Sequence, residues 1–184
     1  TVLGESALDA SVSGGDNTAI GNGALSALTS GTGNTAVGKA TLDENTTGSS
    51  NVAIGQGSAG SNTTASNNTA VGRFSLNANT SGASNVAVGS GALDANTTAS
   101  NNTAVGKDAL GVNTTGTRLV AVGANALDAN TTANNNVAVG YTALTANTTG
   151  GNNTALGDQC LAANTTASNN VGVGKDALAV NTTG

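Results

Sequence analysis

Asn102-Thr103-Ala104-Val105-Gly106-Lys107-Asp108-Ala109-Leu110-Gly111-Val112-Asn113-Thr114-Thr115-Gly116 is one version of a phrase that this chain repeats from end to end. Its central glycine, Gly106, recurs every 17 residues, at Gly4, Gly21, Gly38, Gly55, Gly72, Gly89, Gly123, Gly140, Gly157 and Gly174. Eleven copies without an insertion place the repeat length itself under geometric constraint. A solenoid imposes that constraint, because each coil must stack in register on the next.

With the glycine numbered as position 5, position 2 is Thr or Val in every copy and position 4 is Val, Ile or Leu. Branched residues on either side of one small residue give a period of two, so positions 2 to 4 read as a short strand. Positions 8 to 11, as in Ala92-Leu93-Asp94-Ala95, read as a second strand, with Leu at position 9 in ten of eleven copies. Too few residues separate the turn-forming Gly from Asn-Thr-Thr for a helix to nucleate there. The reading is therefore an all-β parallel β-solenoid of about eleven coils, with residues 1–184 as a single array cut from a longer repetitive protein. At the inter-strand spacing of about 4.8 Å, such a rod is roughly 50 Å long.

The alternation predicts that positions 2, 4, 9 and 11 face inward. Burying three apolar groups per coil contributes at most ~1.5–3 kcal/mol each, less than the ~1–2 kcal/mol per residue needed to order the coil. A coil is therefore stable only within a stack. Position 1 is Asn in nine of the ten copies that show it, with Leu119 the exception, and position 12 is Asn from Asn45 to Asn181. These rows read as structural corners whose amides bond one another along the rod. Position 15 alternates between Gly and Ala from Gly48 to Gly184, which makes a 34-residue unit of two coils; the sequence gives no physical reason for it.

If positions 2 and 4 face inward, position 3 faces out. It is Ala19, Ala36, Ala53, Ala70, Ala87, Ala104, Ala121, Ala138 and Ala155, a flat stripe of small side chains on which copies of the chain can associate laterally. Position 8 is similarly small and reads the same way. The row at position 12 also spells Asn-x-Ser/Thr at Asn45, Asn62, Asn79, Asn96, Asn113, Asn130, Asn147, Asn164 and Asn181, as do Asn67, Asn101 and Asn152. Turn chemistry alone explains the pattern, and a column of covalent glycans is the other reading.

Charged residues are only 8% of the chain and the net charge is −5, so there is no basic footprint for nucleic acid or anionic lipid. No apolar run is long enough to insert in a membrane. Histidine is absent, and with it the commonest general base and metal ligand. The acidic row Asp9, Asp43, Asp94 and Asp128 lacks the grouping that binds calcium in other solenoids. Cys160 stands where other copies have Ala, Ser or Thr and reads as a packing residue. The expectation is a protein that is not an enzyme, with no cofactor and no metal.

Asn51-Val52-Ala53-Ile54-Gly55, Asn85-Val86-Ala87-Val88-Gly89 and Asn136-Val137-Ala138-Val139-Gly140 resemble the head repeats of trimeric autotransporter adhesins. They are similar, too, to the Asn-Thr-Ala-Val-Gly…Ala-Leu repeats of tail-fibre-like bacterial surface proteins. The resemblance implies a left-handed β-roll, a homotrimer in the adhesin case, and a place outside the cell or at its surface. The leading functional expectation is the shaft of an extracellular fibre, assembling with copies of itself by lateral contact and end-to-end stacking. An adhesin or tail-fibre head that binds a host surface or glycan is the alternative. Ice binding by the Thr rows ranks below both.

Overall fold

The computed structural model describes residues 1–183; Gly184, the last term of the alternation at position 15, lies outside the described residues. Eleven short strands form a parallel sheet in strict chain order: β1 Val2–Leu3, β2 Thr18–Ile20, β3 Thr35–Val37, β4 Val52–Ile54, β5 Thr69–Val71, β6 Val86–Val88, β7 Thr103–Val105, β8 Val120–Val122, β9 Val137–Val139, β10 Thr154–Leu156 and β11 Val171–Val173. Between β7 and β8, Thr103 pairs with Val120, Ala104 with Ala121 and Val105 with Val122. Each strand thus lies on the residue 17 positions away. The fold is an all-β parallel β-solenoid of about ten coils.

The phase of the strand is the reverse of that expected. Position 3 points inward, and Ala19, Ala36, Ala53, Ala70, Ala87, Ala104, Ala121, Ala138 and Ala155 are all buried at 0% exposure. Positions 2 and 4 point outward. The reason lies across the coil. A Cβ built on Gly172 would stand 2.6 Å from Cys160 Sγ and 3.4 Å from Leu161 Cγ, so position 3 of one coil rests on positions 8 and 9 of the coil before it. The Leu row fills most of that thin space, leaving room for a methyl and none for a branched side chain.

Positions 8 to 11 do not form a second strand. Ala109 and Leu110 are adjacent and both fully buried, whereas an extended strand sends neighbours to opposite faces. The chain places both inside by curling through two tight turns, with Ala109 N–H donating to Gly106 O at 3.4 Å and Asn113 N–H to Leu110 O at 3.1 Å. Asp108 (φ 54°) and Leu110 (φ 53°) sit in the left-handed region, and the equivalent residues of the other coils do so too. That conformation costs roughly 1–2 kcal/mol per residue outside glycine. Burying the Leu side chain contributes ~1.5–3 kcal/mol, which offsets much of the roughly 2–4 kcal/mol that the two residues cost together.

The turns still stack as a ladder, since Leu93 N–H reaches Ala109 O and Leu110 N–H reaches Ala126 O, both at 3.0 Å. Position 8 is buried as well, so its small residues belong to the core and not to an outer stripe. Within it Ser58 Oγ and Ser75 Oγ meet at 3.0 Å, while Thr41 Oγ1 donates to Gly55 O at 2.7 Å. Position 11, expected inside, lies at the wall, with Ala95 and Ala129 half-buried and Val112 exposed.

Candidate interaction surface

Inside the coil, two rows of Asn replace the large side chains this chain lacks. Along position 12, Asn62 Nδ2 donates to Asn45 Oδ1 (2.9 Å), Asn79 to Asn62 (3.1 Å), Asn96 to Asn79 (2.9 Å) and Asn113 to Asn96 (3.3 Å). Along position 1, each Oδ1 accepts the backbone N–H of the next coil, as Asn34 Oδ1 does from Asn51 at 3.0 Å. The two rows converge on the carbonyl of position 15. Gly116 O accepts from Asn102 Nδ2 at 2.8 Å and from Asn113 Nδ2 at 3.0 Å. Buried amides are tolerated only when satisfied in this way. At Leu119 the first row is interrupted: Asn102 Oδ1 still takes the Leu119 N–H at 3.0 Å, but Leu119 has no amide to continue the row.

The same corner accounts for the two-coil alternation. A Cβ on Gly48, Gly82 or Gly116 would lie 2.1–2.3 Å from the carbonyl oxygen of Ala65, Ala99 or Ala133 in the following coil. Glycine is therefore needed at these three positions, and equally at Gly14 and Gly31, where the following coil also carries Gly. In the Ala coils, a side chain at position 16 reaches back to the preceding Gly coil: Ser66 Oγ accepts from Ser49 N–H (2.9 Å), Ser100 Oγ from Ala83 N–H (2.9 Å) and Asn134 Oδ1 from Thr117 N–H (2.7 Å). From Ala83 onward coils are thus clasped in pairs, whereas Ser49 Oγ also accepts from Thr32 N–H (3.0 Å) and links three coils.

These ladders correct the glycan column. Asn45, Asn62, Asn79, Asn96, Asn113, Asn130, Asn147 and Asn164 are at 0% exposure, and Asn181 is half-buried. An amide that serves as donor and acceptor inside a ladder has no room for a sugar, so Asn45 to Asn147 are structural corners and not attachment sites; the buried Asn164 closes the ladder, and Asn181 makes no bond to it. Asn67, Asn101 and Asn152 lie outside, at the exposed position 17. The Thr that follows most position-12 Asn residues is also engaged: Thr46 Oγ1 donates to Thr63 O and Thr63 Oγ1 to Thr80 O, both at 3.0 Å. The second Thr of each pair, such as Thr98 or Thr115, is exposed, as are the first Thr residues Thr80 and Thr165.

The Ala stripe is corrected in the same way. Being buried, it cannot meet another molecule, and the outward face of β1–β11 carries positions 2 and 4 instead. That face presents a column of Thr and Val beside a column of Val, Ile and Leu. Even in inner coils Val52 is 37%, Ile54 41% and Leu156 38% exposed. The two columns expected inside the coil thus lie on its outer face. The signal that could have decided it was the invariance of Ala at position 3, which marks a packing limit better than an open surface does.

Charge is confined to the turns. Burial raises the carboxyl pKa values of Asp94 and Asp128, and the neighbouring carboxylate of Asp108 adds to both. Lys107 forms an ion pair with Asp108, which holds its ammonium more firmly protonated. Asp43 is raised first by burial, with a smaller contribution from Glu44. Cys160 is buried, and desolvation pushes its thiol up, as suits a packing residue. Among the described residues, no group of three or more acidic or Cys side chains is placed to hold a metal ion.

Comparison with protein-family models, with curated proteins and with solved structures yields no match to this chain.

Proposed function

We propose that this chain is a structural element, the shaft of an extracellular fibre. The observation that carries the reading is the continuity of its ladders: backbone, Asn and Thr bonds repeat from coil to coil, with Leu119 interrupting one Asn row while the backbone and position-12 rows run on. Such an array distributes load along its axis, and each coil is held on both sides by its neighbours. The resemblance of Asn51-Val52-Ala53-Ile54-Gly55 to adhesin-head and tail-fibre-like repeats supports a place outside the cell and a left-handed winding.

The test is to remove two coils as one 34-residue unit and measure particle length by solution X-ray scattering. A shaft shortens by about 9.6 Å, two inter-strand spacings, while its cross-section is unchanged. Immobilised chain is then offered glycans and matrix proteins. Saturable binding by the intact array, lost with a particular pair of coils, would replace the shaft reading by that of an adhesin or tail-fibre head.

A further inference from the structure

We propose that the outward face of β1–β11 is covered by a second copy of this chain, packed sheet against sheet. This deepens the shaft reading by naming the partner and the face. Parallel sheets are almost always covered on both faces, and here the chain's own turns cover only one. On the bare face, position 4 is aliphatic in all eleven strands and position 2 is Thr or Val, so no charged side chain stands in either column. The charged residues Lys39, Arg73 and Lys107 sit at position 6, past the strand ends, where they form a polar rim.

Two arguments select a second copy. Ten inter-strand spacings of about 4.8 Å and a width of about 12 Å give roughly 600 Å² per copy, or about 1,200 Å² in the pair. That area exceeds the ~1,000 Å² expected of a specific interface. The period is the second argument. A partner must keep step with side chains that repeat once per rung over the whole length, and only a surface with the same rung spacing does so. Another copy has that spacing by construction, and its face is self-complementary.

The experiment is sedimentation equilibrium of the full chain between micromolar and hundred-micromolar concentrations, beside two triple variants. Ile54→Lys, Val88→Lys and Val122→Lys place charge on the face. Thr64→Lys, Thr98→Lys and Thr132→Lys place the same charge on the exposed corner. The expected result is a species of twice 17.3 kDa for the wild type and the corner variant, and a monomer for the face variant. Circular dichroism and hydrogen exchange check that all three fold alike. A wild type that stays monomeric, forms trimers, or shows thermal hysteresis as a monomer would overturn the proposal. So would a face variant that still dimerises. Rod-shaped scattering from the monomeric face variant keeps the shaft reading separate from the interface.

Discussion

Replacing Gly106 by Ala perturbs both requirements that the recurrent glycine meets. Its φ of 139° lies in a region that side chains rarely adopt, and a Cβ there would stand 2.5 Å from Gly123 O, 2.6 Å from Gly123 C and 2.9 Å from Ala124 N. All three neighbours are backbone, so no side chain can rotate away. The strain alone costs about 1–3 kcal/mol. Opening the two coils by about 1 Å also lengthens the Gly123 N–H to Val105 O bond, 2.8 Å, and the Asn125 N–H to Lys107 O bond, 3.0 Å, at ~0.5–1.5 kcal/mol each. The sum is about 2–6 kcal/mol. Gly174→Ala provides the comparison, because its φ is 118° but no atom lies within 4 Å of the added Cβ, which leaves the strain alone. Hydrogen exchange resolved by coil is the appropriate assay, since a repeat array opens locally and has no single unfolding free energy. We expect protection around Gly106 and Gly123 to fall by about 30-fold to 10⁴-fold, and by less around Gly174 in its own variant. Equal losses in the two variants would refute the close-stacking argument.

Gly172→Ala should destabilise the last coils, because its Cβ meets Cys160 Sγ at 2.6 Å; Cys160→Ala should largely relieve that effect, giving a coupling energy of about 1–2 kcal/mol in a double-mutant cycle followed by exchange. In Asn113→Ala, Asn96 Oδ1 loses its donor at 3.3 Å and Asn130 Nδ2 its acceptor at 2.9 Å, at a cost of about 2–3 kcal/mol, read as faster exchange in the coils on either side. Acidification gives a prediction of opposite sign to ordinary acid denaturation. Asp94 and Asp128 have raised carboxyl pKa values in the fold, so the folded state takes up protons before the unfolded chain does. Their destabilising effect is therefore present above the folded values and disappears as pH falls toward the ordinary carboxylate range near 4. Protection of the coils around Asp94, corrected for the intrinsic exchange rate, should rise from pH 7 to 4.5, and Asp94→Asn should flatten the change.

The repeat length, the parallel register and the stacked Asn rows were legible in the sequence, because a strict period without insertions permits only in-register stacking. The orientation of the strand was not. A strand of three residues such as Thr103-Ala104-Val105 has one alternation, and hydrophobicity assigns its branched residues to the core by default. What decides the matter is the volume taken by Leu110 and its equivalents across the coil, a tertiary quantity. The second strand failed for a related reason: nothing local in Ala109-Leu110 announces a left-handed Leu, and only burial of both neighbours demands it. The alternation at position 15 was visible, but its cause lies in carbonyl positions one coil away, as Ala65 O is from Gly48.

Single-cysteine labelling can read out which side of the sheet faces the core. With Cys160→Ala as background, Ala104→Cys and Val105→Cys place a thiol on adjacent residues of one strand. Carried in the Ile54→Lys, Val88→Lys and Val122→Lys face variant, where no second copy covers the sheet, the half-buried Val105→Cys is expected to react with a thiol reagent far faster than Ala104→Cys, which reacts only as fast as its coil opens. Rapid labelling at position 104 with protection at position 105, in chains whose circular dichroism matches the parent, would contradict it.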